Sequence, residues 1–364
     1  MFHGKRMGRI GLASAALLLS ACGAAAPSAP ASQPPASAGQ RSSSLASAAS
    51  KPATQTAAPA QTLPALTIPY TAISVSNAPI WVPIEAGLFK KYGVDAKTEF
   101  VSQSPNVTAA MLSGQTPIAN EGEDAAINAD LAGGDIVIIA SGMDKFLFSL
   151  FTSPKITSIA DLKGKKIGIS KIGSTTDFVA RLVLSKNKLE PGKDVALVQL
   201  GGVPEIMAGL QSGAVEAGVL SPPTAFKAKA AGLKELVNLS QYDVTYYQAP
   251  LAAKKSWLAD HRALALNVLR GYLAGVATIH RDKKQSEAIL AKYTKTRDQT
   301  ILEGSYQALI SALPKVPTPK IDAIQTGLAQ STKRQAKSAD PASFIDPSLM
   351  NELQQSGFID SLYR

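Results

Sequence analysis

The stretch LKGKKIGISKIGSTTDFVARLVLSKNKL, Leu162 to Leu189, decides the fold. It reads as a strand through KKIGIS, a turn at Gly173, and a helix opening over Ser174–Thr176. Phe178, Leu182, Val183 and Leu189 fall near helical spacing. A strand feeding directly into a helix is the building unit of a parallel α/β fold. Ser and Thr are favoured at helix N-caps, and Asp177 in the first turn suits the helix dipole. The inner segment GISKIGSTT, Gly168 to Thr176, falls one residue short of a P-loop. Gly168, Gly173 and Thr175 fit the pattern, but Ser174 stands where the phosphate-reaching lysine belongs. No hydrophobic run ending in a metal-binding Asp accompanies it. What remains is a glycine that allows a tight turn and a helix N-terminus that offers donors to a polar group. Ser174, Thr175 and Thr176 either cap this helix or face a ligand, and both roles can coexist.

The same alternation extends in both directions. Thr67–Val75 reads as a strand, and Asn77–Lys91 as a loop and helix closed by Gly93. Pro79 and Pro83 fall early in that helix, where N–H groups lack internal partners. Val94–Val101, GDIVIIAS, DVALVQL, VEAGVL and LKELVNL supply further strands. Trp257–His280 is a long helical pattern, and the remainder to Arg364 reads mainly helical. The class is α/β with mostly parallel sheets.

The N-terminal segment concerns export. Lys5, Arg6 and Arg9 precede a short apolar run, Ile10–Leu19, too short to span a bilayer. Leu19-Ser20-Ala21-Cys22 looks like a bacterial lipobox, with Cys22 the lipidation site and residues 1–21 the signal peptide. Cys22 is the only cysteine, so no intramolecular disulfide is possible. Residues 22–66 are rich in Ala, Ser and Pro, with Arg41 and Lys51 the only charges after Cys22. Such a segment reads as a disordered tether, with an r.m.s. span of roughly 35–40 Å.

The whole chain carries 37 Lys+Arg against 27 Asp+Glu, and without the three signal-peptide cations the excess is +7. No basic run interleaved with aromatics marks a nucleic-acid surface. An anionic membrane surface or anionic ligands suit a diffusely basic exported domain better. Signs of catalysis are few. Beyond the signal peptide the only histidines are His261 and His280, both within helical pattern. There is no GxSxG elbow, no free thiol once Cys22 is lipidated, and no zinc spacing. The expectation is a non-enzymatic protein without a metal or cofactor.

At this point the residues resemble a known family. APIWVPIEAGLFKKYGVD, the Leu162–Leu189 stretch with its continuation EPGKDV, GVPEIMAGLQSGAVEAGVLSPP and the closing FIDPSLMNELQQSGFIDSLYR resemble nitrate-, taurine- and alkanesulfonate-type solute-binding proteins of ABC importers. Glu216 stands where that family usually has Asp. The resemblance runs from about Thr67 to Arg364. It implies a two-lobed periplasmic-binding-protein-like fold of type II, with two mixed or parallel sheets and flanking helices joined by two crossing strands. These are expected near Phe146–Ser153 and Tyr246–Ala253. Lobe one would comprise 67–152 and 249–364, and lobe two 153–248. The implied partners are a small-molecule ligand, an ABC permease with a separate ATPase subunit, and the membrane through lipid on Cys22. A monomer on the outer face of the cytoplasmic membrane is expected. A thiamine-pyrimidine synthase shares this fold, but it resembles enzymes with a cysteine-rich motif and a reactive histidine, which this sequence lacks. An enzyme on the same fold and a ligand-sensing surface lipoprotein without a transporter are the alternative functions.

The resemblance places the Gly173–Thr176 turn in the interlobe pocket. Asn77 binds ligand or caps its helix, and Trp81 lines the pocket or packs in the core. Ser221 ends a strand at the cleft edge or is a turn residue. One of Tyr246 and Tyr247 faces the cleft, since successive strand residues point opposite ways. The loop NEGEDAA puts Glu121, Glu123 and Asp124 where the family has small neutral residues. A cleft-facing Glu121 or Glu123 would repel nitrate or sulfonate and suit an amine, an amidine or a pyrimidine edge. Lys145 offsets that charge, binds a carboxylate or is simply solvated.

Overall fold

The computed structural model describes residues 63–364. The signal peptide, Cys22 and all but the last residues of the expected tether lie outside the described residues. Two five-stranded sheets organise the chain. The strands of the first are β1 (Ala65–Tyr70), β2 (Asp95–Phe100), β3 (Ile118–Asn120) and β4 (Ile136–Ala140), and the chain then leaves for the second. That second sheet is built from β5 (Ser149–Thr152), β6 (Lys166–Ile169), β7 (Ala196–Gln199), β8 (Ala217–Leu220) and β9 (Lys234–Asn238). The chain then returns to the first sheet as β10 (Leu251–Lys254).

The strand orders are β2-β1-β3-β10-β4 and β7-β6-β8-β5-β9. Each strand that follows a crossing runs against its new neighbours. Thus β5 is antiparallel to β8 and β9, and β10 to β3 and β4. Both sheets are therefore mixed rather than purely parallel. The two crossings, 141–148 and 239–250, pair with each other. Met143 and Gln248 exchange both backbone hydrogen bonds, at 3.1 and 3.0 Å. Ser149–Thr152, assigned to a crossing from the sequence, hydrogen-bonds within the second sheet.

Helices cover the sheets in chain order: α1 (Ala78–Glu85), α2 (Leu88–Lys91), α3 (Ser104–Leu112), α4 (Glu123–Asp130), α5 (Thr175–Lys186), α6 (Val203–Ser212) and α7 (Thr224–Ala230). The C-terminal part adds α8 (Lys255–Asp260), α9 (Arg262–Arg281), α10 (Lys283–Thr294), α11 (Gln299–Ala312) and α12 (Ile321–Gln330), then two shorter helices. The helix expected over Trp257–His280 is two helices, because His261 leaves helical geometry at φ −129°, ψ 33°. The strand expected over Thr67–Val75 stops at Tyr70, and Val75–Asn77 forms a 3-10 turn. Among the described residues no helix is long and apolar enough to cross a membrane.

Each sheet carries its own core. In the first lobe, Trp81 of α1 is fully buried, edge-on to Tyr70 and stacked on Tyr293 at 4.7 Å. In the second, α5 buries Phe178, Val179, Leu182 and Val183 against β6 and β8. Phe178 and Phe146 both pack against the Tyr246 ring, at 4.8 and 4.5 Å, and against each other at 6.2 Å.

Candidate functional site

The carboxyl ends of β1, β2 and β3 face those of β6 and β7 across a cleft. Each of these strands leads through a short loop into a helix, so helix N-termini gather there. Clefts at strand carboxyl ends are the usual ligand sites of α/β sheets. A cavity of about 390 Å³ lies between the lobes, within the range of small-molecule pockets. Lobe one lines it with Thr71–Ser74, Ser76, Phe100, Ser102–Ser104, Glu121 and Gly122. Lobe two contributes Ser170, Ser174–Thr176 and Gly201–Glu205, and the crossings contribute Phe148, Gln248 and Ala249.

Three sets of contacts join the lobes around this cavity. The Ser221 hydroxyl donates to the Ser74 hydroxyl at 3.1 Å, and the Val75 N–H donates to the Pro222 carbonyl at 3.2 Å. The Gln103 amide donates to the Ser170 carbonyl at 3.4 Å, and Lys171 Nζ to Asn106 Oδ1 at 2.8 Å. The Thr175 hydroxyl donates to Asp124 Oδ1 at 3.0 Å. Gly122 admits this approach, since a β-carbon there would stand 2.5 Å from the Thr175 hydroxyl oxygen and 2.8 Å from that of Ser104.

The turn that opens α5 uses its hydroxyls in three ways. Gly173 takes φ +77°, the left-handed conformation that glycine adopts without steric cost. Ser174 is the N-cap residue, yet its side chain makes no capping bond. Its hydroxyl instead donates to the Lys171 carbonyl at 2.6 Å and lies 2.7 Å from the Ser170 hydroxyl. Thr176 Oγ1 accepts the Ser170 N–H at 2.8 Å, which ties the strand end to the helix. Thr175 alone of the three reaches the opposite lobe. Asp177 Oδ2 accepts the Gly173 N–H at 2.9 Å, and its other oxygen pairs with Arg181 Nε at 2.8 Å.

The acidic loop is buried and divided by role. Asn120 Nδ2 donates to the Ala249 carbonyl at 2.7 Å, and Glu123 Oε2 accepts the Tyr247 N–H at 2.6 Å. Asp124 Oδ1 also accepts the Tyr246 hydroxyl at 2.7 Å. Three side chains of this loop thus grip the second crossing. Glu121 accepts the Thr108 hydroxyl on Oε2, while its Oε1 has no partner among the described residues. Burial raises all three carboxyls: Asp124 to about 6, Glu121 to about 8, and Glu123 well above the ordinary range. The Thr108 hydrogen bond opposes the rise at Glu121, and repulsion from Asp124 adds to it. Burial, followed by the neighbouring Asp124 and Glu123 charges, lifts the Tyr246 hydroxyl well above its ordinary value.

Of the residues singled out from the sequence, Glu121, Ser174, Thr175 and Thr176 line the cavity. Gly173 lies on an adjoining hollow of about 430 Å³ with Asp124, Asp177 and Arg181. Tyr246 sits behind the wall, reaching Asp124 and Thr175. Ser221 sits at the lobe contact, and Glu123 points into the core of lobe one against α12. Asn77 is buried, donating to the Ala72 and Ser74 carbonyls at 2.8 and 3.3 Å, so it shapes the loop after β1. Trp81 packs in the lobe core. His261 stacks on Trp257 at 5.5 Å, and His280 is half-buried with burial lowering its pKa; neither lines the cavity.

The sequence reading missed Ser74, Ser102, Ser104, Gln248 and the Gly201-Gly202 pair. A signal existed for the glycine pair, which sits between a strand and a helix as Gly173 does. The lone serines carried none.

Two mixed sheets, paired crossings and an interlobe cavity define the two-lobed class of periplasmic binding proteins. Residues 75–286 match the family described as NMT1/THI5 like, and the chain belongs to that family. The chain is 23% identical over 264 residues, 71% of its length, to YtlA of Bacillus subtilis (strain 168), named as a binding protein; the match covers 79% of YtlA. The nitrate-binding protein NrtA of Synechocystis PCC 6803 superposes with a TM-score of 0.67 at 12% identity, over 83% of this chain and 91% of that one. The alkanesulfonate-binding protein SsuA of Xanthomonas axonopodis pv. citri, bound to MOPS, gives 0.64 at 17% identity, over 78% and 98%. At such identities the superpositions establish the fold alone.

Proposed function

We propose that this protein is the extracytoplasmic solute-binding component of an ABC importer, capturing a small organic molecule between its lobes and delivering it to a permease. The carrying observation is the interlobe cavity lined from both lobes and both crossings. Binding is by hydrogen bonds from the loops after β1, β2, β6 and β7, and by closure that excludes water. Thr175, Ser104 and Gln248 are the ligand-facing polar groups of this reading, and Glu121 stands in the wall. Anchoring through Cys22 places the domain at the membrane that holds the permease, whose separate ATPase hydrolyses ATP. A binding role is supported by the similarity to proteins named as binding proteins.

The test is titration calorimetry of the full chain against a panel of small organic solutes, repeated with Gly122→Val. The glycine's β-carbon position lies 2.5 Å from Thr175 Oγ1, so the variant holds the lobes apart. The expected result is a micromolar or tighter ligand for the wild type and at least a tenfold loss in the variant. A ligand bound equally by both would place the site elsewhere.

A further inference from the structure

We propose that the ligand carries no negative charge and turns a hydrogen-bond donor toward Glu121. This rests on the interlobe cavity being the ligand site. Among the described residues, the ionisable side chains lining it are Glu121 and Glu205, with no Lys, Arg or His. The basic side chains of the adjoining loop and helix are engaged elsewhere, Lys171 with Asn106 and Arg181 with Asp177.

Helix N-termini are the other source of positive potential for an anion. Three of those at the cavity already carry a carboxyl group of their own. Asp177 takes the Gly173 N–H ahead of α5. Glu123 and Asp124 occupy the first turn of α4. Glu205 lies over the start of α6, its Oε2 only 2.6 Å from where a β-carbon on Gly202 would sit. An anionic solute would exchange its hydration for hydroxyls and the amides of Gln103 and Gln248, with no cationic side chain among the described lining residues and with buried carboxyls beside it. Without a compensating cation that exchange is unfavourable.

Glu121 supplies the positive half of the argument. It is fully buried, lines the cavity, and one carboxyl oxygen has no partner among the described residues. An unpaired buried acceptor is costly, and a ligand N–H or O–H removes that cost. Phe100, Phe148, Ile73 and Val203 provide apolar wall for the body of an organic molecule.

The experiment compares four probes on the full chain by calorimetry at neutral pH: benzamide, benzamidine, benzenesulfonate and nitrate. The first three share a ring and differ in charge. The expected result is that benzamide or benzamidine binds at least tenfold more tightly than benzenesulfonate or nitrate. Glu121→Gln, nearly isosteric and checked for folding by thermal melt, is expected to weaken the benzamidine or benzamide complex at least fivefold. Tighter binding of either anion overturns the proposal while leaving the binding function standing. A probe order unchanged by Glu121→Gln overturns the role of Glu121. If none of the four binds, and native mass spectrometry of the purified chain shows no bound solute, the binding function itself fails and this inference falls with it.

Discussion

Thr175 shows what one hydroxyl contributes at a closing cleft. Its bond to Asp124 exists only when the lobes meet, so it favours the closed form without holding either lobe together. Thr175→Val is expected to lower ligand affinity about five- to tenfold, in line with roughly 1 kcal/mol for one hydrogen bond, with little change in melting temperature. Thr176→Val should instead lower the melting temperature, since that hydroxyl receives the Ser170 N–H inside lobe two. Calorimetry beside thermal denaturation separates the two effects. The carboxyls predict a pH profile. Asp124 and Glu121 are raised to about 6 and about 8 in the folded chain. Their protonated forms fit the fold, so the stability they confer is full below the unfolded values near 4 and declines as pH rises through 6 and then 8. The denaturation midpoint is expected to fall between about pH 4 and 8 and then level off, and Glu121→Gln to flatten the upper part of that fall. A profile that rises over this range would refute the assignment. At this scale the sequence was partly legible. The hydroxyls after Gly173 read as helix caps or ligand contacts, and it was the family resemblance that put their turn at a cleft. The roles of Glu123 and Asp124 were hidden, because their partners, Tyr247 and Tyr246, lie more than 120 residues away.

Elements were easier to read than their ends. The strand-to-helix unit Lys166–Lys186 follows from β-branched and apolar runs broken by glycine, and its strand lies in the second sheet. The reversal of β5 and β10 was illegible, since strand direction depends on where a crossing delivers the chain rather than on composition. The split of the Trp257–His280 helix was equally silent, because His261 is an acceptable helix residue whose backbone alone departs. Trp81 illustrates the competition between wall and core. Its stacking on Tyr293 and edge contact with Tyr70 place it among the helices behind the cleft. Trp81→Ala is expected to cost about 3–5 kcal/mol in chemical denaturation, while the folded fraction keeps its ligand affinity. A large affinity loss at unchanged stability would instead put Trp81 in the binding wall.

For the whole molecule, the paired crossings 141–148 and 239–250 are the only backbone links between the two sheets among the described residues. Two strands that share both hydrogen bonds of one residue pair bend together, which suits a hinge closure. The interlobe bonds at Ser74, Gln103 and Asp124 describe a closed form, and opening would release all three sets. Small-angle scattering of the full chain is therefore expected to show a smaller radius of gyration with ligand than without it. The proposed importer role requires that the solute sit in the cavity between the lobes. A crystal structure of the chain with a solute identified by calorimetry tests this most directly. Density is expected between the two lobes, within hydrogen-bonding distance of Thr175 and of at least one of Ser104, Glu121 and Gln248. Density in the adjoining hollow beside Asp177 and Arg181, or on the outer surface of either lobe, would contradict it.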